Sequence, residues 1–171
     1  VHALGQVVSF DCVTTIPVER MAPALNSIMP WDVRVVRSEV VDGRFHARFS
    51  AKVRTYLYVM LNREAASALT RRYAWHVREP LDVEAMRQGA ESLMGEQDFA
   101  AWANGVAEVN TTVRRIVRCT VRRRGWCVLV LIEANAFLHG MVRNIVGTLV
   151  EVGAGRRKPQ AVAEITESRN R

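Results

Sequence analysis

A tyrosine beside cations is the strongest candidate for chemistry in this sequence. Tyr56 lies two residues after Arg54 and two before Tyr58, in a stretch that alternates between apolar and polar side chains. Successive strand side chains point to opposite faces, so these three share one face. Cations neutralise phosphate and aromatic rings stack on bases, so this face suits RNA. The alternative is a solvated outer face of a half-buried sheet.

Arg143 is the second unusual residue, because it interrupts a strongly apolar helical pattern over 137–152. The apolar stripe of that pattern consists of Leu138, Met141, Val142, Ile145, Val146, Leu149 and Val150. A buried guanidinium is costly unless an anion pairs with it. The pattern therefore predicts either a carboxylate from another segment or a side chain that reaches solvent.

Common enzyme motifs are absent from the sequence. It has no phosphate-binding loop, no G-x-G-x-x-G, no H-E-x-x-H and no G-x-S-x-G. The four histidines lack metal-ligand spacing, and the three cysteines include no C-x-x-C pair. We therefore expect no metal site and no disulfide scaffold, which fits a reducing compartment.

The charge balance favours a polyanionic partner. The formal net charge is +7, and all 24 basic residues except Lys52 and Lys158 are arginines. Arginine favours planar, bidentate contacts with phosphate. GC-rich codons would explain the preference for arginine but not the sign of the charge. No apolar run is long enough to span a membrane and no signal-peptide pattern is present, so no membrane partner is expected.

Periodicity and turn signals predict the elements that carry these residues. In order they are a strand through Val7, Val8 and Phe10, a helix Val18–Ile28, a strand Val33–Val41, β structure over Phe45–Asn62, weak helical character over Glu64–Tyr73, a helix Asp82–Met94 capped by Asp82, a helical turn Gln97–Ala103, a polar loop Asn104–Asn110, a hairpin Thr111–Ala134, a helix Phe137–Val152 and a helix after Pro159. In Phe45–Asn62 the odd-numbered residues are predicted to face the core. This order fits an α+β protein with an antiparallel (mixed) sheet and helices packed on one face.

The hairpin has a predicted register. If Arg124-Gly125 is the turn, the apolar pairs are Val121 with Val128, Cys119 with Val130, and Val117 with Ile132. The other face of its first strand would carry Arg114, Ile116, Arg118, Thr120 and Arg122.

Five stretches resemble the bacterial tRNA pseudouridine synthase A family. They are V-H-A-L-G-Q-V-V-S-F at 1–10, F-H-A-R-F-S-A at 45–51, R-T-Y-L-Y at 54–58, G-E-Q-D-F at 95–99 and A-N-A-F-L-H-G-M-V-R-N-I-V-G at 134–147. The likeness runs in order along nearly the whole chain, and the last stretch is highly specific.

The resemblance implies a fold and an activity. The fold would have two α+β halves around a central cleft, with 1–44 ending the N-terminal half and 45–171 forming most of the C-terminal half. The enzyme would be a cytoplasmic homodimer that isomerises uridine to pseudouridine at positions 38, 39 and 40 of the tRNA anticodon arm, without cofactor or metal. An aspartate attacks the flipped-out uridine, the glycosidic bond breaks, the base turns, and C5 bonds to C1′.

The resemblance also implies residue roles. Tyr56 matches the family's active-site tyrosine, which stacks on the uracil and can serve in removing the C5 proton. Arg143 matches the arginine that pairs with the catalytic carboxylate. The other candidates for lining the site or contacting RNA are His2, His46, Arg48, Arg54, Tyr58 and His139, with Arg114, Arg118 and Arg122 as weaker ones.

One departure from the family concerns the nucleophile. In the family it lies in G-R-T-D-A-G-V-H-A, whereas this sequence begins at V-H-A, and Asp11 is too far along the following strand to replace it. The family's final strand, with a G-L-x-L pattern, is also expected beyond Arg171. The chain as given is therefore expected to be inactive, and the complete protein to be an isomerase.

Two other readings remain open at this point. One is a non-catalytic RNA-binding module that uses the basic, aromatic sheet face as a platform. The other is a structural, dimer-forming domain whose charge is compositional, which salt-dependent tRNA binding would argue against.

Overall fold

The chain forms two compact units that divide between Ala51 and Lys52. The computed structural model describes residues 2–105 and 110–168. That residues 1–44 end one half of an enzyme and 45–171 form most of the other, as the resemblance implies, stays a prediction.

The first unit contains one helix within its described residues, α1 (Val18–Ile28), at the predicted position. Asn26 joins this helix to the following segment, since its side chain donates to the Val35 carbonyl (2.9 Å) and accepts from the Val35 N–H (2.8 Å). The Ser38 hydroxyl also donates to the Val18 carbonyl (2.7 Å). These polar contacts, rather than a buried apolar face, hold the segment against α1.

The strands predicted through Val7 to Phe10 and at Val33–Val41 are wrong, because neither segment is a strand. Their large side chains stay exposed, Val36 at 91%. β-Branched residues favour strands only where a neighbouring strand pairs with them and a face is covered. The described part of the first unit provides neither for these segments.

The second unit is built on a five-stranded sheet. Its strands are β1 (Arg54–Asn62), β2 (Trp75–Val77), β3 (Gly95–Asp98), β4 (Val113–Arg124) and β5 (Cys127–Ala134), in the order β2-β1-β5-β4-β3. The β1–β2 pair is parallel and the other pairs are antiparallel. The sheet is therefore mixed.

Three helices, α2 (Val83–Glu91), α3 (Met141–Gly153) and α4 (Ala161–Ser168), complete the second unit. Their apolar side chains share one core with one face of the sheet, where Met86, Ile145 and Val162 join Val128 and Val130. Burial stabilises each such side chain by about 1.5–3 kcal/mol. The predicted α+β class with helices on one face is confirmed.

Several predicted boundaries differ from the structure. Asp82 caps α2 as predicted, accepting from the N–H groups of Glu84 (2.9 Å) and Ala85 (3.0 Å). Residues 64–73 form turns instead of a helix, and 97–103 divides between β3 and the 3₁₀ turn Ala100–Trp102. Of the loop predicted at Asn104–Asn110, positions 106–109 lie outside the described residues.

The long alternating run differs most from its prediction. Only its second half is a strand, and the even-numbered side chains, not the odd-numbered ones, face the helices. Met60 is fully buried and Tyr58 packs on the core, whereas Leu57 on the other face is 52% exposed. Asn62 ends the strand as a buried polar residue. The prediction of a core-facing odd set is therefore wrong.

The hairpin forms, but its register is shifted by two residues. Val121 lies opposite Val130 and Cys119 opposite Ile132, with Gly125-Trp126 as the turn. An irregularity between Ile116 and Arg118 turns Ile116 into the core. Such bulges place one extra residue on one strand, so the face changes beyond them.

Candidate active site

The Tyr56 side chain lies where β5 leaves the sheet. Tyr56 is opposite Ile132, and its ring meets the ring of Phe137 edge-on, with centroids 5.0 Å apart and an interplanar angle of 88°. Edge-to-face aromatic pairs are worth about 0.5–1.5 kcal/mol beyond burial. The contact orients a tyrosine that remains 37% exposed. It also joins β1 to the segment that leads into α3.

Hydrogen bonds to backbone groups hold the same edge of the sheet together. The Arg54 guanidinium donates to the Asn135 carbonyl (2.6 Å). The Asn135 side chain accepts from the Arg115 N–H (2.9 Å), and the Asn135 N–H donates to the Arg115 carbonyl (3.1 Å). Arg54 and Asn135 thus tie β1, β4 and the end of β5 together beside Tyr56.

A glycine starts α3 later than predicted. Gly140 has φ +75°, and a Cβ there would lie 2.2 Å from the Asn104 Nδ2. Only glycine adopts this conformation without strain and leaves room for that side chain. His139 therefore precedes the helix, and α3 begins at Met141 instead of Phe137.

Asn144 anchors the first turn of α3. Its side-chain amide donates to the Trp102 carbonyl (2.7 Å) and to the Asn104 Oδ1 (3.1 Å). The Asn104 N–H in turn donates to the His139 carbonyl (2.7 Å). These bonds hold the helix start firmly, and with it the adjacent Arg143.

Arg143 lies in this first turn with its side chain exposed. Among the described residues it makes no hydrogen bond or ion pair. The guanidinium therefore reaches solvent, and no carboxylate of residues 2–105 or 110–168 pairs with it. Pairing with a carboxylate from another segment stays a prediction.

Comparison with known proteins decides the family. A family model described as tRNA pseudouridine synthase matches residues 90–171. The tRNA pseudouridine synthase A of Halalkalibacterium halodurans is 45% identical over all 171 residues of this chain, which cover 65% of that relative. That of Thermoanaerobacter sp. is 42% identical over 171 residues, covering 70%, and that of Brevibacillus brevis 44% over 165 residues, covering 68%.

The chain belongs to the tRNA pseudouridine synthase A family. It spans about two thirds of the length of the curated relatives that it matches.

In this member of the family, Tyr58 has a different environment from Tyr56. Tyr58 packs against the core, and its ring meets that of Trp75 at 6.3 Å and 80°. The tyrosines thus lie on the helix-covered face. A non-catalytic RNA-binding module was predicted to present these tyrosines on an open face of the sheet, and that prediction is wrong. RNA contact by Tyr58 stays a prediction.

Three predicted site residues belong to the first unit. His46 accepts through Nδ1 from the Arg48 N–H (3.1 Å), and its ring lies 4.4 Å from that of Phe49. The Arg48 guanidinium carbon lies 5.6 Å from the Phe49 ring centroid. His2 is exposed. His46 and Arg48 thus form one local cluster, and the RNA contacts of all three stay predictions.

The weaker candidates lie along β4. The Arg114 Nη1 donates to the carbonyls of Thr111 (2.9 Å) and Val113 (2.7 Å), while its buried Nε has no hydrogen-bond partner. Burial lowers the pKa of the Arg114 guanidinium. Arg118 lies 3.9 Å from Glu133 and is therefore partly neutralised.

Sequence reasoning missed what Phe137, Gly140 and Asn144 do at this site. Each lies inside the stretch that carried the family resemblance, but their types alone point to packing, turns or polar surface. A glycine inside an otherwise apolar helical pattern was the available signal for a delayed helix start.

Two absences hold for residues 2–105 and 110–168. There, no group of three or more His, Cys, Asp or Glu side chains could hold a metal ion. No helix in those ranges combines the length and apolarity needed to cross a lipid bilayer.

Proposed function

We propose that this chain carries part of the active site of an enzyme that isomerises uridine to pseudouridine in the tRNA anticodon arm. The observation that supports this most directly is the contact between Tyr56 and Phe137. It joins the R-T-Y-L-Y stretch to the F-L-H-G-M-V-R-N stretch, the two that carry the proposed catalytic side chains. The names of the relatives agree with this activity.

The proposed reaction leaves the composition of the uridine unchanged, although the C5 hydrogen is exchanged for one on N1. An aspartate, supplied by sequence upstream of the V-H-A stretch, attacks C1′ as the nucleophile, and the bond between C1′ and N1 breaks with its electron pair on N1. The freed uracil turns, C5 bonds to C1′ as the aspartate oxygen leaves it, C5 loses its proton, and N1 gains one from solvent. The target base must leave its stack, because neither C1′ nor C5 is accessible within a helix.

Tyr56 and Arg143 have separate roles in this proposal. The Tyr56 ring stacks on the uracil, and its hydroxyl takes part in removing the C5 proton. The exposed, unpaired Arg143 guanidinium pairs with the aspartate and orients it. Arg54, held by the Asn135 carbonyl, lines the same edge.

The test uses the complete gene product and tRNA tritiated at uridine C5, because only the isomerisation releases that hydrogen. We expect Tyr56→Phe to slow tritium release by about 100-fold or more while tRNA affinity stays near wild type. Tyr73→Phe is the matched control, since Tyr73 is an exposed tyrosine outside the site. Unchanged turnover in Tyr56→Phe would rule out a chemical role for this hydroxyl.

We propose further that the complete enzyme acts as a homodimer in the cytoplasm, with tRNA as its partner. His2, His46, Arg48 and His139 would add cationic or polar contacts to the RNA. Sedimentation of the purified protein with and without tRNA tests the dimer. A monomer at micromolar concentration would contradict it.

A further inference from the structure

The turn between β4 and β5 combines two free cations with an exposed aromatic ring. Arg122 and Arg124 are exposed, and among the described residues neither makes a hydrogen bond or an ion pair. Trp126, in the turn itself, is 65% exposed. Gly125 has φ +56°, as such tight turns require. We call Arg122, Arg124 and Trp126 the hairpin tip.

Three other arginines of the second unit are neutralised by carboxylates of the same unit. Arg156 pairs with Glu79 and Arg157 with Glu151, while Arg87 pairs with Glu84. Among the described residues, by contrast, no carboxylate pairs with either positive charge of the hairpin tip. Alternate strand residues lie about 7 Å apart on one face, so both charges are available to one ligand.

The base of the turn is rigid. The Asn62 N–H donates to the Trp126 carbonyl (2.7 Å). The Arg123 guanidinium, on the opposite face from Arg122, donates to the Asn62 Oδ1 (2.8 Å) and to the Leu81 carbonyl (3.0 Å). Asn62 is itself buried and bound to the Val77 carbonyl (3.0 Å). Little backbone entropy is therefore lost at the turn when a ligand binds the tip.

The hairpin tip is separate from the proposed active site. Tyr56 lies opposite Ile132, whereas the tip adjoins Cys127, five residues earlier on β5, so the two rows are about 17 Å apart. The side chains of Arg122 and Arg124 also lie on the opposite face of the sheet from Tyr56. One nucleotide cannot contact both places.

We propose that the hairpin tip is a second RNA-docking site, which binds the backbone of an RNA segment through Arg122 and Arg124 and stacks an unpaired base on Trp126. Arginines and an exposed aromatic ring are the groups that bind single-stranded RNA with little sequence preference. That the RNA is a tRNA rests on the proposed function. The 17 Å separation means that this segment is not the nucleotide that meets Tyr56, and the proposal places it outside the anticodon stem-loop.

The experiment measures dissociation constants of the complete gene product for whole tRNA and for an isolated anticodon stem-loop, over a range of salt concentrations. We expect Arg122→Gln/Arg124→Gln to weaken whole-tRNA binding about tenfold and to reduce the salt slope by about two. Trp126→Ala should weaken binding about tenfold without changing the slope, and Trp126→Phe should restore most of it. Stem-loop binding should not change.

Arg156→Gln/Arg157→Gln is the matched control, because it removes the same charge from residues already paired with carboxylates. We expect it to bind whole tRNA as the wild type does. Equal losses in the two double variants would overturn the proposal, as would a loss that is the same for stem-loop and whole tRNA. If the tip variants lose binding to phosphatidylglycerol vesicles but keep tRNA affinity, the surface is a lipid contact and the proposal fails.

Failure of this inference can be told apart from failure of the proposed function. If the wild type releases C5 tritium but the tip variants bind tRNA normally, only the docking site is wrong. If the wild type releases no tritium and the tip variants still lose RNA affinity, the docking site stands without the enzymatic activity.

Discussion

The two ends of β1 use polar residues in opposite ways. At the end of the strand, Asn62 is buried, and its side chain is bonded to Arg123 and to the carbonyls of Val77, the last residue of β2, and Glu79. At the start, Tyr56 is partly exposed, and Arg143 in the first turn of α3 is exposed as well. A buried polar group that lacks a hydrogen bond lowers the free energy of unfolding, so most such groups are paired. An exposed polar group that the protein does not hydrogen-bond can bind a substrate, and neighbouring ordered structure holds it in position.

The largest effect on activity is expected for the exposed Arg143. Arg123 is compared with it, because the Arg123 guanidinium is bonded to Asn62 and Leu81. Arg143→Gln in the complete enzyme should lower pseudouridine formation by about 100- to 1,000-fold, because the aspartate loses its partner. Its melting temperature should stay within about 2 °C of the wild type, because the side chain is exposed and unpaired. Tritium release and thermal unfolding measure the two quantities.

Arg123→Gln is the matched control for that variant. It should lower the melting temperature, since Asn62 and Leu81 lose a donor, and leave the turnover of folded molecules unchanged. Equal losses of activity in the two variants, or equal losses of stability, would contradict separate roles for Arg143 and Arg123.

Asn62→Ala should destabilise the protein by about 2–4 kcal/mol. The substitution leaves the Val77 and Glu79 carbonyls and the Leu81 N–H without their side-chain partner in a buried setting. Urea unfolding measures the change in the free energy of unfolding. A loss below about 0.5 kcal/mol would show that water replaces these bonds at no cost.

Gly140→Ala should lower the free energy of unfolding by about 2–3 kcal/mol, because Gly140 helps to hold the start of α3 in place. The positive φ costs about 1 kcal/mol, and the added methyl displaces the Asn104 side chain. Gly125→Ala is the control, because its φ is also positive but the space around it is open. Equal unfolding free energies for the two variants would mean that the Asn104 contact carries no energy.

The smallest effect concerns the buried strands between the two ends. Burial raises the pKa of the Cys119 thiol to about 12 from 9.0. The stability that this neutral thiol contributes is intact below pH 9 and is lost as the pH rises from 9 toward 12. At pH 9, iodoacetamide should modify the exposed Cys12 at least about 100-fold faster than Cys119. Equal rates would show that β4 opens readily.

Much of the fold follows from local sequence. The bounds of α1, the Asp82 cap, the hairpin and the apolar stripe of α3 each depend on neighbours within a few residues along the chain. The candidate pair Tyr56 and Arg143 also came from the sequence. The contact of Tyr56 with Phe137 did not, because it joins residues far apart in the chain.

The sequence by itself determined the approximate positions of α2, α3 and α4, where the hairpin lies, the net positive charge and the family. The tertiary structure alone decided which face of β1 is covered. Both faces of that strand carry large side chains, so alternation separates Met60 from Leu57 but cannot say which one meets the helices. It also decided the hairpin register, because the turn lies at Gly125-Trp126 and not at Arg124-Gly125, which moves every pair by two residues.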